Sequence, residues 1–141
     1  MRTTQSRSRL MASVKHSSTS LEIEARSLFR SLGHRFSTTG RGLPGTPDIV
    51  NRSRRWAIFV HGCFWHAHHG CSLWRLPSTN TDFWRVKFEQ NRARDVKKTR
   101  QLRSLRYKVL ILWQCELANR QLATAKIRRF MRRAATGPKS P

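Results

Sequence analysis

Between Trp56 and Cys71 the chain reads Trp-Ala-Ile-Phe-Val-His-Gly-Cys-Phe-Trp-His-Ala-His-His-Gly-Cys, so that His61, His66, His68 and His69 share one window with Cys63 and Cys71. The chain holds 6 histidines and 3 cysteines in all, so this stretch concentrates its scarce metal-type ligands. Cys63-x4-His68-x2-Cys71, completed by the distant Cys115, offers three soft thiolates and one imidazole. That donor set suits a closed, tetrahedral structural zinc site, and such a site can contribute on the order of 10 kcal/mol to folding. His69 or His66 could stand in for His68. The plainer alternative is three buried thiols that never meet.

A hard-cation site must draw on the chain's 7 acids, Glu22, Glu24, Asp48, Asp82, Glu89, Asp95 and Glu116. Magnesium takes oxygen ligands in octahedral geometry. Asp48 stands out because it follows Gly45-Thr46-Pro47 and opens an apolar strand, with the Phe59-Val60-His61 backbone and imidazole expected alongside. A divalent ion there could polarise a phosphodiester while a histidine takes a proton from water. His66 is the base candidate, being in the loop and not needed by the zinc set. The blander readings are a turn residue for Asp48, a helix cap for Glu22, and hydrogen bonds within the loop for His61 and His66.

Phe64 and Trp65 lie between a candidate zinc ligand and the candidate base, and Trp84 opens a later helix. Flat rings held in a basic, rigid loop can enter a base stack, at a cost that is least where pairing is already defective. Core packing is the ordinary alternative and the one expected for Trp56, Phe59 and Trp113.

These groups need a scaffold. Leu21, Ala25, Leu28, Phe29 and Leu32 recur at helical spacing ahead of Gly33, and Thr19-x-x-Glu22 reads as the capping box that starts this helix. A short strand over His34–Ser37 precedes a Gly/Pro loop from Thr39 to Pro47, and Asp48-Ile49-Val50 opens the next strand. Trp56–Val60 is a continuous apolar run, suited to a central strand covered on both faces. Thr81 is placed to cap a helix from Asp82 to Arg103. Tyr107–Trp113 reads as a second central strand and Arg120–Arg133 as a basic helix. The fold expected is α/β, a mixed sheet flanked by helices, with one folded domain over 19–135 between a basic arm (1–18) and a disordered tail (136–141).

A chain of 141 residues suits one domain. With 29 Lys and Arg against 7 Asp and Glu, its formal net charge of +22 calls for a polyanionic partner, nucleic acid by default. No apolar run is long enough for a membrane span. The odd cysteine count argues for reduced thiolates in a cytosol-like compartment over a disulfide framework. The basic, Ser-rich opening superficially matches a transit peptide, but its apolar content is too thin, and a basic arm lying along phosphates fits better.

Several blocks together resemble the very-short-patch mismatch repair endonucleases: Leu43-Pro44-Gly45-Thr46-Pro47-Asp48, Phe59-Val60-His61-Gly62-Cys63-Phe64-Trp65-His66, Thr79-Asn80-Thr81-x-Phe83-Trp84, Asn91-x3-Asp95 and Trp113-Gln114-Cys115-Glu116-Leu117. Arg7-Ser8-Arg9-x-Met11 and Thr19-x2-Glu22-x3-Arg26 match the family's opening segment as well, which speaks against a transit peptide. The resemblance implies a restriction-endonuclease-like fold and magnesium-dependent nicking beside the thymine of a T:G mismatch in double-stranded DNA. It implies Asp48 and the Val60 carbonyl as magnesium ligands, His66 as base, and Glu22, His61 and Asp95 as supporting site residues. By the same likeness Cys63, His68, Cys71 and Cys115 bind zinc, and Phe64, Trp65 and Trp84 insert beside the mismatch. A monomer acting in the bacterial cytoplasm, in company with other mismatch-repair proteins, is the implied setting. Val60 stands where some relatives have Thr, so only its carbonyl can serve. Ala67 and Gly70 alter the loop and leave the division of roles among His66, His68 and His69 open. A non-catalytic zinc-bearing DNA-binding module and a restriction-type nuclease without mismatch preference are the competing readings.

Overall fold

A computed structural model of the chain describes residues 19–136. The expected arm over 1–18 lies outside the described residues, as does the expected tail, apart from Thr136, which closes the last helix. The chain runs through helix α1 (19–31), strand β1 (Ile49–Asn51), strand β2 (Trp56–His61), helix α2 (Thr81–Ser104), strand β3 (Lys108–Trp113), the short helix α3 (Gln114–Leu117) and helix α4 (Arg120–Thr136).

The three strands form a mixed sheet in the order β1-β2-β3. β1 and β2 pair antiparallel, joined by a turn that Asn51 organises by accepting from the Arg54 N–H (3.0 Å) and the Ser53 hydroxyl (2.9 Å). β2 and β3 pair parallel from Trp56↔Lys108 to His61↔Trp113. β2 is therefore central, as its unbroken apolar run requires. β3, expected to be central too, is an edge strand among those described. Its half-buried residues are sheltered by helices instead of by a further strand.

Alternation along the strands splits the core into two layers. Ile49, Trp56, Ile58 and Leu112 pack with Leu21, Ala25, Leu28 and Phe29 of α1 and with Ala123 and Ile127 of α4. Val50, Ala57 and Phe59 face the other way, against Leu102 near the end of α2. Each fully buried Ile, Leu or Phe contributes about 1.5–3 kcal/mol of transfer free energy. At 24 residues, α2 is roughly 36 Å long. Its far end reaches beyond the sheet and covers a third cluster, where Trp84 and Phe88 meet the loop after β2.

Local expectations shifted in four further places. Thr19 is already helical, so the Thr19–Glu22 capping box does not start α1. The Glu22 carboxylate lies 3.9 Å from the Arg26 guanidinium, one helical turn on. The strand expected over His34–Ser37 contracts to a single bridge, Ser37↔Val50, because β1 offers only 3 residues of edge. Thr81 lies inside α2 and its hydroxyl donates to the Pro77 and Ser78 carbonyls, while Asn80, with φ 54, takes the cap position. The four-residue α3 was not expected at all. It is held by Glu116, which accepts from the Trp113 N–H (2.9 Å) and from Lys126 Nζ (2.7 Å) on α4.

Gly40 is buried, and a Cβ there would collide with the backbone oxygen and nitrogen of Pro47. Gly40→Ala should therefore cost about 1–3 kcal/mol in urea unfolding. A variant as stable as the parent would show that the 40–47 loop does not pack in this way.

Candidate active site and metal centre

The parallel register that pairs His61 with Trp113 sets the residues just past each strand side by side. Cys63 and Cys115 consequently meet: the Cys115 N–H points at Cys63 Sγ at 3.4 Å, and the Cys63 N–H donates to the Gln114 side chain at 3.2 Å. The loop then folds back, with the His68 N–H on the Cys63 carbonyl (2.9 Å) and the Cys71 N–H on that of His68 (3.3 Å). One donor atom from each of Cys63, His68, Cys71 and Cys115 lies within 4.8 Å of the others. His68 Nδ1 is 3.6 Å from Cys63 Sγ and 3.5 Å from Cys115 Sγ. A tetrahedral zinc with bonds of about 2.3 Å to sulfur and 2.0–2.1 Å to nitrogen would hold those atoms about 3.5–3.6 Å apart. The His68 ring lies flat on Trp113, 3.9 Å between centroids. Burial, together with the crowding of neighbouring thiols, pushes the Cys63 thiol up to about 12, the condition a bound cation relieves.

On the other side of the loop Ala67 adopts a left-handed backbone, φ 48, which sends His66 and His68 to different partners. His66 Nδ1 lies 2.6 Å from Asp95 Oδ2 on α2. The His66 ring stacks on His61 at 3.7 Å, with planes 4° apart. His61 is itself buried, which drives its pKa down to about 3 with help from the neighbouring His66, so its ring is neutral. His69 goes a third way: its Nε2 accepts from Arg92 (2.7 Å) and its ring stacks on Trp74 (4.6 Å). Of the three imidazoles left open by the sequence, the thiols therefore meet His68.

Asp48 sits where β1 begins. Its N–H donates to the Ile58 carbonyl (3.0 Å), and its Oδ2 accepts the Val60 N–H at 2.7 Å. Glu22 lies within hydrogen-bonding reach of the Asp48 carboxyl, and Arg26 of α1 reaches the Asp48 backbone oxygen at 3.4 Å. Burial outweighs the Val60 hydrogen bond and, with the Glu22 charge adding to it, raises the Asp48 pKa to about 6. Two carboxyl groups thus share a corner with one guanidinium. The Asp48–Glu22 pair contacts β2 at Val60, and the His66–Asp95 pair contacts it through the next residue, His61.

Phe64 and Trp65 are half-buried, but against α2 and not against the sheet. They join Trp84, Phe88 and Trp74 in a set of mutually touching rings, with Phe64–Phe88 at 5.4 Å and Trp65–Trp84 at 6.0 Å. Trp84, expected as a free wedge, is only 4% exposed because Phe64, Trp65 and Phe88 close over it. Helix α2 grips this loop at three points: Asn91 donates to the Trp65 carbonyl (3.0 Å), Arg92 to His69, and Asp95 holds His66. Asn91-x3-Asp95 belongs to the blocks that carry the resemblance, whereas sequence reasoning missed Arg92, whose place beside them on one helical face is the signal that could have found it.

A family model described as DNA mismatch endonuclease Vsr matches residues 1–73. The chain is 45% identical over 122 residues to the type II nicking enzyme V.XorIIP of Xanthomonas oryzae, covering 86% of this chain and 89% of that protein. It is 40% identical over 118 residues to the DNA mismatch endonuclease Vsr of Escherichia coli, covering 84% and 75% respectively. The type II nicking enzyme V.NmeAIP of Neisseria meningitidis is 34% identical over 92% of both chains. This chain belongs to the Vsr family. Membership makes it a DNA endonuclease of a mismatch-repair family, and its surplus of cations accords with a DNA substrate. Arg85, Arg94, Lys97, Arg100 and Arg103 of α2 and Arg128 and Arg129 of α4 all lie exposed. Among the described residues no helix is long and apolar enough to cross a membrane.

The Asp48 shift has a thermodynamic sign. A carboxyl that titrates near 6 in the folded chain and near 3.8 otherwise favours folding below the lower value, and that support is lost as pH rises through 6. In buffer without added divalent ions, Asp48→Asn should stabilise the chain at about pH 8 by on the order of 2 kcal/mol. The gain should shrink towards about pH 5. Thermal melts of both proteins across that range provide the check, and a pH-independent difference would contradict it.

Proposed function

We propose that this Vsr-family endonuclease hydrolyses one phosphodiester bond beside the thymine of a T:G mismatch in duplex DNA, initiating short-patch repair of deaminated 5-methylcytosine. It acts as a monomer in the bacterial cytoplasm, on nucleoid DNA and alongside other mismatch-repair proteins. The supporting observation is that an acid pair and a histidine–carboxylate pair contact consecutive residues at the end of the central strand. Asp48 holds the Val60 N–H, while His61 stacks on His66, which is paired with Asp95. A restriction-endonuclease-like fold accords with this mixed sheet and its helices.

In this reading Asp48 and the Val60 carbonyl hold magnesium. The fit rests on two carboxyl groups sharing a buried corner short of cationic partners. When bound, the ion polarises a phosphoryl oxygen and offsets charge on the leaving oxygen. The chain's own part is proton handling. Asp95 accepts from His66 Nδ1, which fixes the tautomer that leaves the Nε2 lone pair free to take a proton from the attacking water. The new bond joins water oxygen to phosphorus, and the sugar oxygen leaves with its electron pair. The imidazolium formed is stabilised by Asp95, while neutral His61 holds the ring plane without adding a positive charge beside it. Glu22 supports Asp48. Phe64 and Trp65, half-buried on the loop, enter the weakened stack at the mismatch, where unstacking costs least, with Trp84 packed behind them.

Zinc in the Cys63, His68, Cys71 and Cys115 set ties the loop to the sheet. Its four donors leave no open position, which makes the role structural. We expect one zinc per chain on purification, and Cys115→Ser should cost folding and not only turnover. A soluble, folded, zinc-free Cys115→Ser chain with full activity would remove this tie from the account.

Nicking of T:G and T:A duplexes, with magnesium or with a magnesium chelator, tests the whole reading. Cleavage should need both the mismatch and the ion. His66→Gln should slow it by roughly 10²–10⁴-fold. Asp48→Asn should abolish it while salt-sensitive DNA binding persists. Equal cleavage of both duplexes would indicate a restriction-type nuclease, and binding without any nick a DNA-binding module.

A further inference from the structure

We infer that Trp113 is a positioning residue for the nick: its indole braces the His61–His66 stack and the His68 arm at once, and so sets the direction in which His66 presents Nε2 to the attacking water. Core packing is the role its sequence suggests, yet the side chain is only half-buried at the end of β3. The His68 ring lies flat against it, 3.9 Å between centroids and 6° between planes. His61 meets it at 5.2 Å and 81°, and His66 at 6.5 Å and 78°. Since His61 and His66 are themselves 3.7 Å apart, these distances put Trp113 at the flank of the pair and not over its end. Among the described residues no other ring touches all three histidines.

The outer torsion of a histidine is broad and roughly two-fold, so the chain itself does little to aim an imidazole. Hydrogen bonds or neighbouring groups must do it. Asp95 holds His66 Nδ1 at 2.6 Å, which fixes one atom and leaves the ring able to pivot about that bond. His61 Nδ1 is buried with no hydrogen-bond partner, so nothing polar steers the ring at that atom. Contacts with Phe59, His66 and Trp113 steer it instead. The indole is the anchored member of this group. Its residue pairs with His61 in the ladder, and its backbone N–H donates to Glu116, which Lys126 of α4 secures. Trp113 thereby joins the thiol centre to the candidate base through side chains, in parallel with the backbone of the 63–68 loop. The action on nicking rests on His66 being the base as proposed above; the bracing of His68 does not.

The test uses the full chain with cobalt(II) in the thiol centre, and single-turnover nicking of a T:G duplex at saturating magnesium. Trp113→Met fills much of the indole's volume without a flat face, whereas Trp113→Phe keeps one. Trp113→Met should bind the duplex within about threefold of the parent yet nick it roughly tenfold to a hundredfold more slowly, and Trp113→Phe should recover most of that loss. The ligand-field bands of the cobalt should shift in Trp113→Met while sulfur-to-metal charge transfer persists, which shows that the centre is intact. In a His66→Gln background Trp113→Met should slow nicking no further, because both changes act on one group. A full additional loss there, bands that do not move, or a Trp113→Met rate within about twofold of the parent would overturn the proposal. So would loss of the thiol-bound metal in both Trp113 variants, which would make the indole part of the fold and nothing more. Parental nicking by His66→Gln alone would instead sink the base reading and with it the action on nicking, while the cobalt bands decide the His68 brace independently.

Discussion

The in-register parallel pairing of β2 with β3 is the constraint from which the rest follows. Because His61 faces Trp113 across the ladder, the residues beyond them emerge at one point, and two cysteines more than fifty positions apart in sequence become neighbours. The same register brings the Trp113 ring under His68 and lets Gln114 accept from the Cys63 amide. A slip of β3 by one residue would turn its side chains to the opposite face. Leu112 would leave the α1/α4 layer, and Trp113 would swing from under His68. The sheet's packing and the site's assembly are thus one event.

Helix α2 supplies the second organising element. It packs Leu102 under the sheet and Phe88 under the loop, and between them it presents Asn91, Arg92 and Asp95 to three different loop residues. The loop has almost no regular structure of its own, yet its backbone and rings are held from both sides. Acid usage follows the same economy. In a chain with so few carboxylates, Glu22, Asp48 and Asp95 gather around the end of β2. Glu116 instead locks α3 to α4 through Lys126, which also donates to the Ile111 carbonyl (2.9 Å).

What could be read from the sequence was whatever a strong local pattern or a scarce residue announced. Trp56–Val60 declared a strand buried on both faces. The apolar spacing of α1 and the basic run of α4 gave helices within a few residues of their bounds. The convergence of Cys63 and Cys115 followed once two strands were assumed to be neighbours. Less legible was anything decided by single backbone torsions or by partners far along the chain. Which imidazole joins the thiols depends on the left-handed turn at Ala67, and no spacing rule encodes that. Thr81 looks like a cap, but Asn80 adopts the left-handed conformation more readily and takes the position. α3 is too short to show a period, and its stability comes from Lys126 on a later helix. The edge position of β3 could not be inferred from an apolar run alone, because helices cover such a strand as well as another strand does.

The aromatic set beside the active-site loop carries a consequence beyond its packing. Phe64, Trp65, Trp84, Phe88 and Trp74 each touch at least one other member edge-on, tilted or stacked, and Trp84 contacts three of them. The five rings fill one shared volume, so taking Trp84 away would leave Phe64, Trp65 and Phe88 lining an empty space.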